Sequence, residues 1–393
     1  MLPLEGIKVI EMTHMVMGPV TGVILADLGA EVIKIEPIGG DKTRRLKGSG
    51  AGYFAMYNRN KQSICIDLKN SKGQAIAYRL IDGADVFIEN FRTGSMANMG
   101  FGSEHLRTRN PKLIYCSLKG FLSGPYSHRT ALDEVAQMMG GLAYMTGPPG
   151  QPLRAGASII DVTGGMFGVI AILAALQRRH ASNVGEHVES SLFETTAFLV
   201  GQHMAQEQVT GEPAPPMTVR QSAWSIYEIF ESAEGNQIFV AVVSDALWQR
   251  FCAEFDLSDF AADKSLDSNE GRVNQRERII PAITALFQSL TTKEMVNRLE
   301  SAGIPFAPIN RPTDLFSDPH LRASDGLLDV SLAAIGQGGR TAQLPALPVE
   351  YSAEKFKLRK DLPEPGEDSV QVLQDAGLSA DEIEELRAQT IVA

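Results

Sequence analysis

The chain has 393 residues, 44% of them hydrophobic and 21% charged, with a formal net charge of −11. That length exceeds what one compact core holds, so two domains of ordinary globular composition are expected. The acidic balance argues against a nucleic-acid surface, while leaving room for a local basic pocket around a polyanionic ligand.

Lys8–Met12 reads as a short buried strand. Gly18-Pro19 opens a helix that runs to Leu28, and Gly29 stops it in the C′ position. Glu31–Glu36 is a second strand, ended by Pro37 and Gly39-Gly40. These pieces form a βαβ unit, the building block of a parallel sheet covered by helices. Ser63–Leu68, Val86–Glu89 and Leu113–Leu118 add strands, with a helix pattern at Lys72–Ile81. Alternation to about residue 200 predicts a doubly wound α/β domain. The wholly apolar run Met166–Leu176 has 11 residues, short of the roughly 18 that a membrane span needs, and predicts a buried helix.

Gly211–Pro216 is a turn-rich break. Paired strands at Ser225–Phe230 and Gln237–Val243 follow, then helix patterns at Ala246–Phe255, Arg278–Gln288 and Thr292–Ala302. The predicted organisation is 1–205 as the N-terminal part of the large domain and 206–222 as a linker. Residues 223–310 form a smaller α+β domain, and 311–393, rich in Pro and Gly, return to the large one. The start of the chain has no basic segment ahead of an apolar one, so no secretory signal is expected. Cys65, Cys116 and Cys252 are far apart and odd in number, which fits a reducing cytosol and gives no metal-ligand spacing.

The turn after the first strand, Thr13–Pro19, lacks Gly-x-Gly-x-x-Gly, and no Gly-x-x-x-x-Gly-Lys-Ser/Thr is present. Nicotinamide, flavin and P-loop nucleotide chemistry are therefore not expected. Lys42, Arg44 and Arg45 lie beside two glycines, and Lys69, Arg92 and Lys119 closely follow predicted strands. Ligands of parallel sheets bind beyond the carboxyl ends of the strands, so these cations are candidates to meet a phosphate-bearing ligand; solvated surface roles fit each one equally. His14 is a pocket-lining candidate without a partner at triad or metal spacing, and Ser190-Ser191 is not a nucleophile elbow. The most informative stretch is Gly156–Gly165, where Asp161 stands between a strand-like and a helix-like apolar segment. One reading is a helix N-cap. The other is a nucleophile kept ionised by the helix terminus, with Gly164 and Gly165 letting a bulky substrate approach the backbone.

Seven segments then match a known pattern in order and spacing. They are Leu4–Glu11; Gly18-Pro19 with Leu25–Pro37; Gly40–Arg44; Asn58–Ile64; Glu89–Phe91; Gly147 with Gly156–Gly165; and Ser191–Glu194. From about residue 3 to residue 330 the chain resembles the family III (CaiB/BaiF-type) CoA-transferases. The resemblance implies an intertwined homodimer with a Rossmann-like large domain built from both ends of the chain. CoA lies on that domain as co-substrate, with no metal or prosthetic group. Asp161 falls on the family's nucleophile, which passes through aspartyl-anhydride and aspartyl-CoA thioester intermediates. Met15, Ile66, Lys69, Asn90 and Phe91 fall on the CoA site, and Tyr53, Asp133 and Val16 near the reacting acyl group. Asn98 stands where the family often has a basic residue, so Arg92 or Arg44 would replace that phosphate contact.

Two departures refine the expectation. The related α-methylacyl-CoA racemases pair the aspartate with a histidine, whose place here is taken by Leu132, and leucine moves no proton. His128 lies four residues too early to replace it simply. A racemase or epimerase is therefore the weaker alternative, and an inactive CoA-ester binding relative is another. Oxalate-using formyl-CoA transferases carry a glycine run where this chain has Pro215–Trp224, so oxalate is not expected. Arg220 or Arg154 is expected to clamp the distal carboxylate of a larger dicarboxylate such as glutarate, itaconate, mesaconate or citramalate. The expected protein is a cytoplasmic homodimeric CoA-transferase that uses succinyl-CoA, with no nucleic-acid or membrane partner.

Overall fold

Strands β1 (Lys8–Met12), β2 (Glu31–Glu36), β3 (Lys61–Cys65), β4 (Val86–Glu89), β5 (Ile114–Lys119) and β6 (His187–Ser191) form one parallel sheet. Their order is β3-β2-β1-β4-β5-β6, so the chain reverses its direction of travel between β1 and β4. Such a reversal opens a crevice at the carboxyl ends of the strands. The computed structural model describes residues 2–220, 222–352 and 356–393.

Both faces of the sheet are covered. Ile10, Ile33, Ile64, Phe87 and Tyr115 pack against the helix Ser71–Asp82 and the C-terminal helices Ser369–Asp375 and Ala380–Ala388. Val9, Val32, Val86, Ile88 and Cys116 face the helices Met17–Asp27 and Ile159–Ser182. Near-continuous apolar runs are what strands buried on two faces require. Gly29 has φ +109°, the left-handed cap expected after the first helix.

Strand β3 starts at Lys61, two residues before the predicted Ser63, where it pairs with Val32 of β2, and its ammonium has a buried partner. Glu11, Lys34 and Lys61 are each fully buried. Glu11 Oε2 lies 2.8 Å from Lys61 Nζ, and Glu11 Oε1 lies 3.3 Å from Lys34 Nζ. Burial pushes the Lys61 ammonium down to about 8, against the pull of Glu11. Lys34 Nζ also donates to Thr13 O at 2.7 Å, and Lys61 Nζ to Pro19 O at 3.0 Å. One carboxylate thereby fixes both ends of the turn between β1 and the first helix.

The predicted helix Met166–Leu176 is the middle of a 24-residue helix, Ile159–Ser182. By length and composition it matches a membrane span, but one side is core: Ile160, Gly164, Gly168, Val169 and Ile172 are buried. The other side is not the buried surface that the sequence predicts, since Met166 is 48% and Ile170 58% exposed. Gly164 and Gly165 also differ from expectation. A Cβ on Gly165 would lie 2.8 Å from Met17 O, and one on Gly164 2.7 Å from Met17 Cε. These glycines admit the neighbouring helix rather than a substrate.

The chain divides into two compact units, one made of Met1–Val219 with Pro319–Ala393 and the other of Arg220–Asp318. The second has an antiparallel sheet, β7 (Ile226–Glu231), β8 (Gln237–Val242) and β9 (Phe306–Pro308), over a core of Trp248, Phe251 and Phe287. The predicted linker 206–222 begins inside a helix, Gly201–Thr210, and all of it through Val219 belongs to the first unit. Met217 N donates to Met145 O at 2.9 Å, which ties this stretch down.

Candidate active site

A cavity of about 290 Å³ opens beyond the carboxyl ends of β1, β4 and β5. Its lining includes His14, Met15 and Val16 after β1, Asn90 after β4, and Lys119 at the end of β5. Tyr53, Asp133, Glu134, Arg154 and Asp161 also line it.

The turn after β1 is over-determined. Asn90 Oδ1 accepts the His14 N–H at 3.0 Å, and Asn90 Nδ2 donates to His14 O at 2.8 Å. Met15 adopts φ +65°, a costly left-handed conformation for a non-glycine, and its N–H donates to Thr43 Oγ1 at 3.2 Å. The His14 ring packs 5.2 Å from that of Phe91. Burial holds His14 below its ordinary value of 6.5, and its Nδ1 is buried without a partner.

Asp161 is not an N-cap. The helix begins at Ile159, and its cap residue Ser158 makes no side-chain bond. Asp133 caps the helix from 28 residues away: its Oδ2 accepts the N–H of Ile160 at 2.9 Å and of Asp161 at 3.1 Å. Its Oδ1 accepts from Gln137 Nε2 at 2.5 Å. The Asp161 carboxylate accepts no hydrogen bond from the described residues and lines the cavity. Burial, then the nearby Asp133 charge, push its carboxyl up to about 7, and Arg154 pulls the other way. The half-buried carboxylate is therefore weakly solvated, weakly stabilised and reachable, which are the properties of a carboxylate nucleophile.

Of the cations predicted to meet a phosphate, Lys119 lines the cavity and Arg44, Lys69 and Arg92 do not. Arg44 is buried, with Nε 2.8 Å from Glu36 Oε2 and Nη2 2.5 Å from Glu36 Oε1. It also donates to Pro363 O at 2.7 Å, so it is a structural cation and not a free phosphate contact. Ile66 is buried in the core beside β3, where its backbone pairs with Val392. Lys69, Arg92 and Asn98 are exposed and do not line the cavity. Arg220 belongs to the second unit, where its guanidinium lies 5.8 Å from the centre of the Tyr227 ring. Asn90 lines the cavity as the clamp of the His14 turn. Lys119 lines it with its charge held by Glu89 at 2.5 Å.

Glu134 was not legible as a site residue. It lines the cavity and bonds Arg154 Nη1 at 2.7 Å through Oε1. The only sequence signal is its place beside Asp133 at a helix start. Among the described residues, no group of three His, Cys, Asp or Glu side chains is poised to hold a metal.

Residues 4–369 match the model of CoA-transferase family III. The chain is a family III CoA-transferase. It is 34% identical to the succinate–glutarate CoA-transferase of Agrobacterium fabrum, over 94% of this chain and 95% of that one. An acyl-CoA transferase of Fusarium pseudograminearum is 32% identical over 99% of this chain and 88% of that one. A CaiB/BaiF family protein from Brucella suis superposes with a TM-score of 0.82 at 30% identity, covering 95% of this chain and 99% of that one. The enzyme accordingly takes acyl-CoA and carboxylate substrates, with CoA as co-substrate.

Proposed function

We propose that this CoA-transferase moves CoA from succinyl-CoA to a dicarboxylic acid, with Asp161 as the nucleophile. The observation that carries the reading is the Asp161 carboxylate itself, open to the cavity, without a hydrogen bond from the described residues and raised to about 7. The named activity of the Agrobacterium relative, succinate–glutarate CoA transfer, supports the donor and the acceptor class.

An Asp161 oxygen attacks the thioester carbonyl, the C–S bond breaks, and an aspartyl-succinyl anhydride and CoA thiolate result. The thiolate attacks the aspartyl carbonyl, releasing succinate and leaving an aspartyl-CoA thioester. The acceptor carboxylate then attacks that carbonyl, expelling the thiolate and forming a second anhydride. Attack of the thiolate on the acceptor's acyl carbon yields the new acyl-CoA and restores the carboxylate. Each step replaces a slow acid–thioester exchange with attack by a positioned group.

Arg154 receives the distal carboxylate of substrate in this reading, which its position on the cavity wall supports. The helix Ile159–Ser182 has an exposed apolar side, and Phe198, packed against its Phe167, is itself 72% exposed. A surface of that kind supports the intertwined homodimer. The three free cysteines, all buried, support a reducing cytoplasmic setting.

The test is incubation with succinyl-CoA and glutarate, followed by chromatography of the CoA esters. Glutaryl-CoA formed in step with loss of succinyl-CoA supports the reading. No transfer to any dicarboxylate, together with deuterium uptake from heavy water at the α-carbon of a 2-methylacyl-CoA, would replace it with racemisation.

A further inference from the structure

Two strong cations line the cavity, and they are held differently. The Lys119 ammonium pairs with Glu89, whose side chain is only 2% exposed, and also donates to Phe91 O at 2.8 Å. Arg154 pairs with Glu134, whose side chain is 58% exposed. The rest of the guanidinium is fixed without Glu134: Nε donates to Ala155 O and Nη2 to Ala157 O, both at 3.0 Å. Asp133 Oδ1 lies 3.6 Å from Nη2, but that carboxylate is buried and already accepts three N–H groups. Among the described residues, Glu134 is thus the one side-chain partner of Arg154 that can leave without disturbing the helix cap.

We propose that Glu134 is a specificity-determining residue: in the free enzyme its carboxylate occupies the place on Arg154 that the second carboxylate of a dicarboxylate substrate takes. This inference rests on the dicarboxylate reading above. The exchange is charge for charge. A dicarboxylate displaces Glu134 and keeps the guanidinium paired, while Glu134 swings into solvent. A monocarboxylate has nothing to offer Arg154 and leaves the pair in place. An exposed ion pair is weak, so its displacement costs little. Without Glu134 the free enzyme would leave the guanidinium only the more distant Asp133, 3.6 Å away, as a carboxylate partner, and Arg154 is close enough to Asp161 to act on its charge. Glu134 therefore sets how strongly the second carboxylate is demanded.

The experiment compares glutarate with butanoate as acceptors at saturating succinyl-CoA, for wild type, Glu134→Gln, Glu134→Ala, Arg154→Gln and the Glu134→Gln/Arg154→Gln pair. Removing the competitor should lower the glutarate KM by about two- to fivefold in both Glu134 variants, the range of an exposed ion pair. The butanoate KM should not move, and the effect should vanish in the Arg154→Gln background. A glutarate KM that is unchanged, or that moves together with that of butanoate, overturns the assignment of Glu134 while leaving the dicarboxylate reading intact. A wild-type enzyme whose kcat/KM for butanoate equals that for glutarate overturns both.

Discussion

The Asp133 carboxylate accepts the backbone N–H of Asp161 at 3.1 Å, so one acid caps the helix whose first turn carries the other. A cap normally comes from the residue just before the helix. Here the cap is borrowed from another helix, Asp133–Met139, and the local acid is left open to the cavity. The same arrangement sets one negative charge beside another, which helps to keep the Asp161 carboxyl up near 7.

Replacing Asp133 by Asn should separate these effects. Loss of the charge lowers the Asp161 pKa, so the acid limb of the kcat/KM profile should move to lower pH. The weakened cap should cost about 0.5–2 kcal/mol, read as a lower denaturation midpoint. Activity measured across pH 5–9, with urea unfolding alongside, checks both.

Asp161 itself should cost stability. Its folded pKa is raised, so the penalty grows as pH climbs above the ordinary carboxylate range and is complete above about 7. Asp161→Asn removes it, so the variant should be inactive yet melt higher than wild type, with the larger gain at pH 8 than at pH 5. A helix-cap role for Asp161 predicts the opposite sign. Thermal melts at the two pH values decide between them.

Much of the fold was legible in the sequence. The limits of β1, β2 and β4, the stop at Gly29 and the hairpin around Gly235 all follow local rules of periodicity and turn chemistry. Less legible was whatever depends on partners remote in sequence. Nothing local announces that Lys61 is buried beside Glu11, or that β3 begins at Lys61 rather than at Ser63. Strand β6, with its polar His187, Glu189 and Ser190, has no apolar run to announce it. Asp161 was legible as a candidate, and it does line the cavity, but the cap of its helix was not legible, since nothing local ties it to Asp133. Arg44 looked like a phosphate ligand because charge is visible in a sequence and its neutralisation by Glu36 is not.

Arg44→Ala tests that last point. Burial pushes the Glu36 carboxyl up, but the hydrogen bonds from Arg44 and the charge of Lys34 bring it below its ordinary value. Removing the guanidinium strands a buried carboxylate, which should cost about 3–5 kcal/mol. The KM for succinyl-CoA of the protein that remains folded should stay near wild type. A raised KM with unchanged stability would restore Arg44 as a CoA contact.

Gly165→Ala should loosen the contact between the helices Met17–Asp27 and Ile159–Ser182. The added Cβ would sit 2.8 Å from Met17 O and 2.9 Å from Val20 Cγ1. Overpacking of this kind costs about 1–3 kcal/mol. Because Met17 and Asp161 lie on these two helices and both line the cavity, kcat should fall along with the unfolding midpoint. Steady-state kinetics and urea unfolding of the purified variant check this.

The most direct test of the central claim is intact-protein mass spectrometry after brief mixing with succinyl-CoA, for wild type and Asp161→Asn. A covalent acyl or CoA adduct on wild type alone, mapped to the peptide that holds Asp161, is the predicted result. Turnover without any adduct on that peptide, or an equal adduct on Asp161→Asn, would contradict Asp161 as the nucleophile.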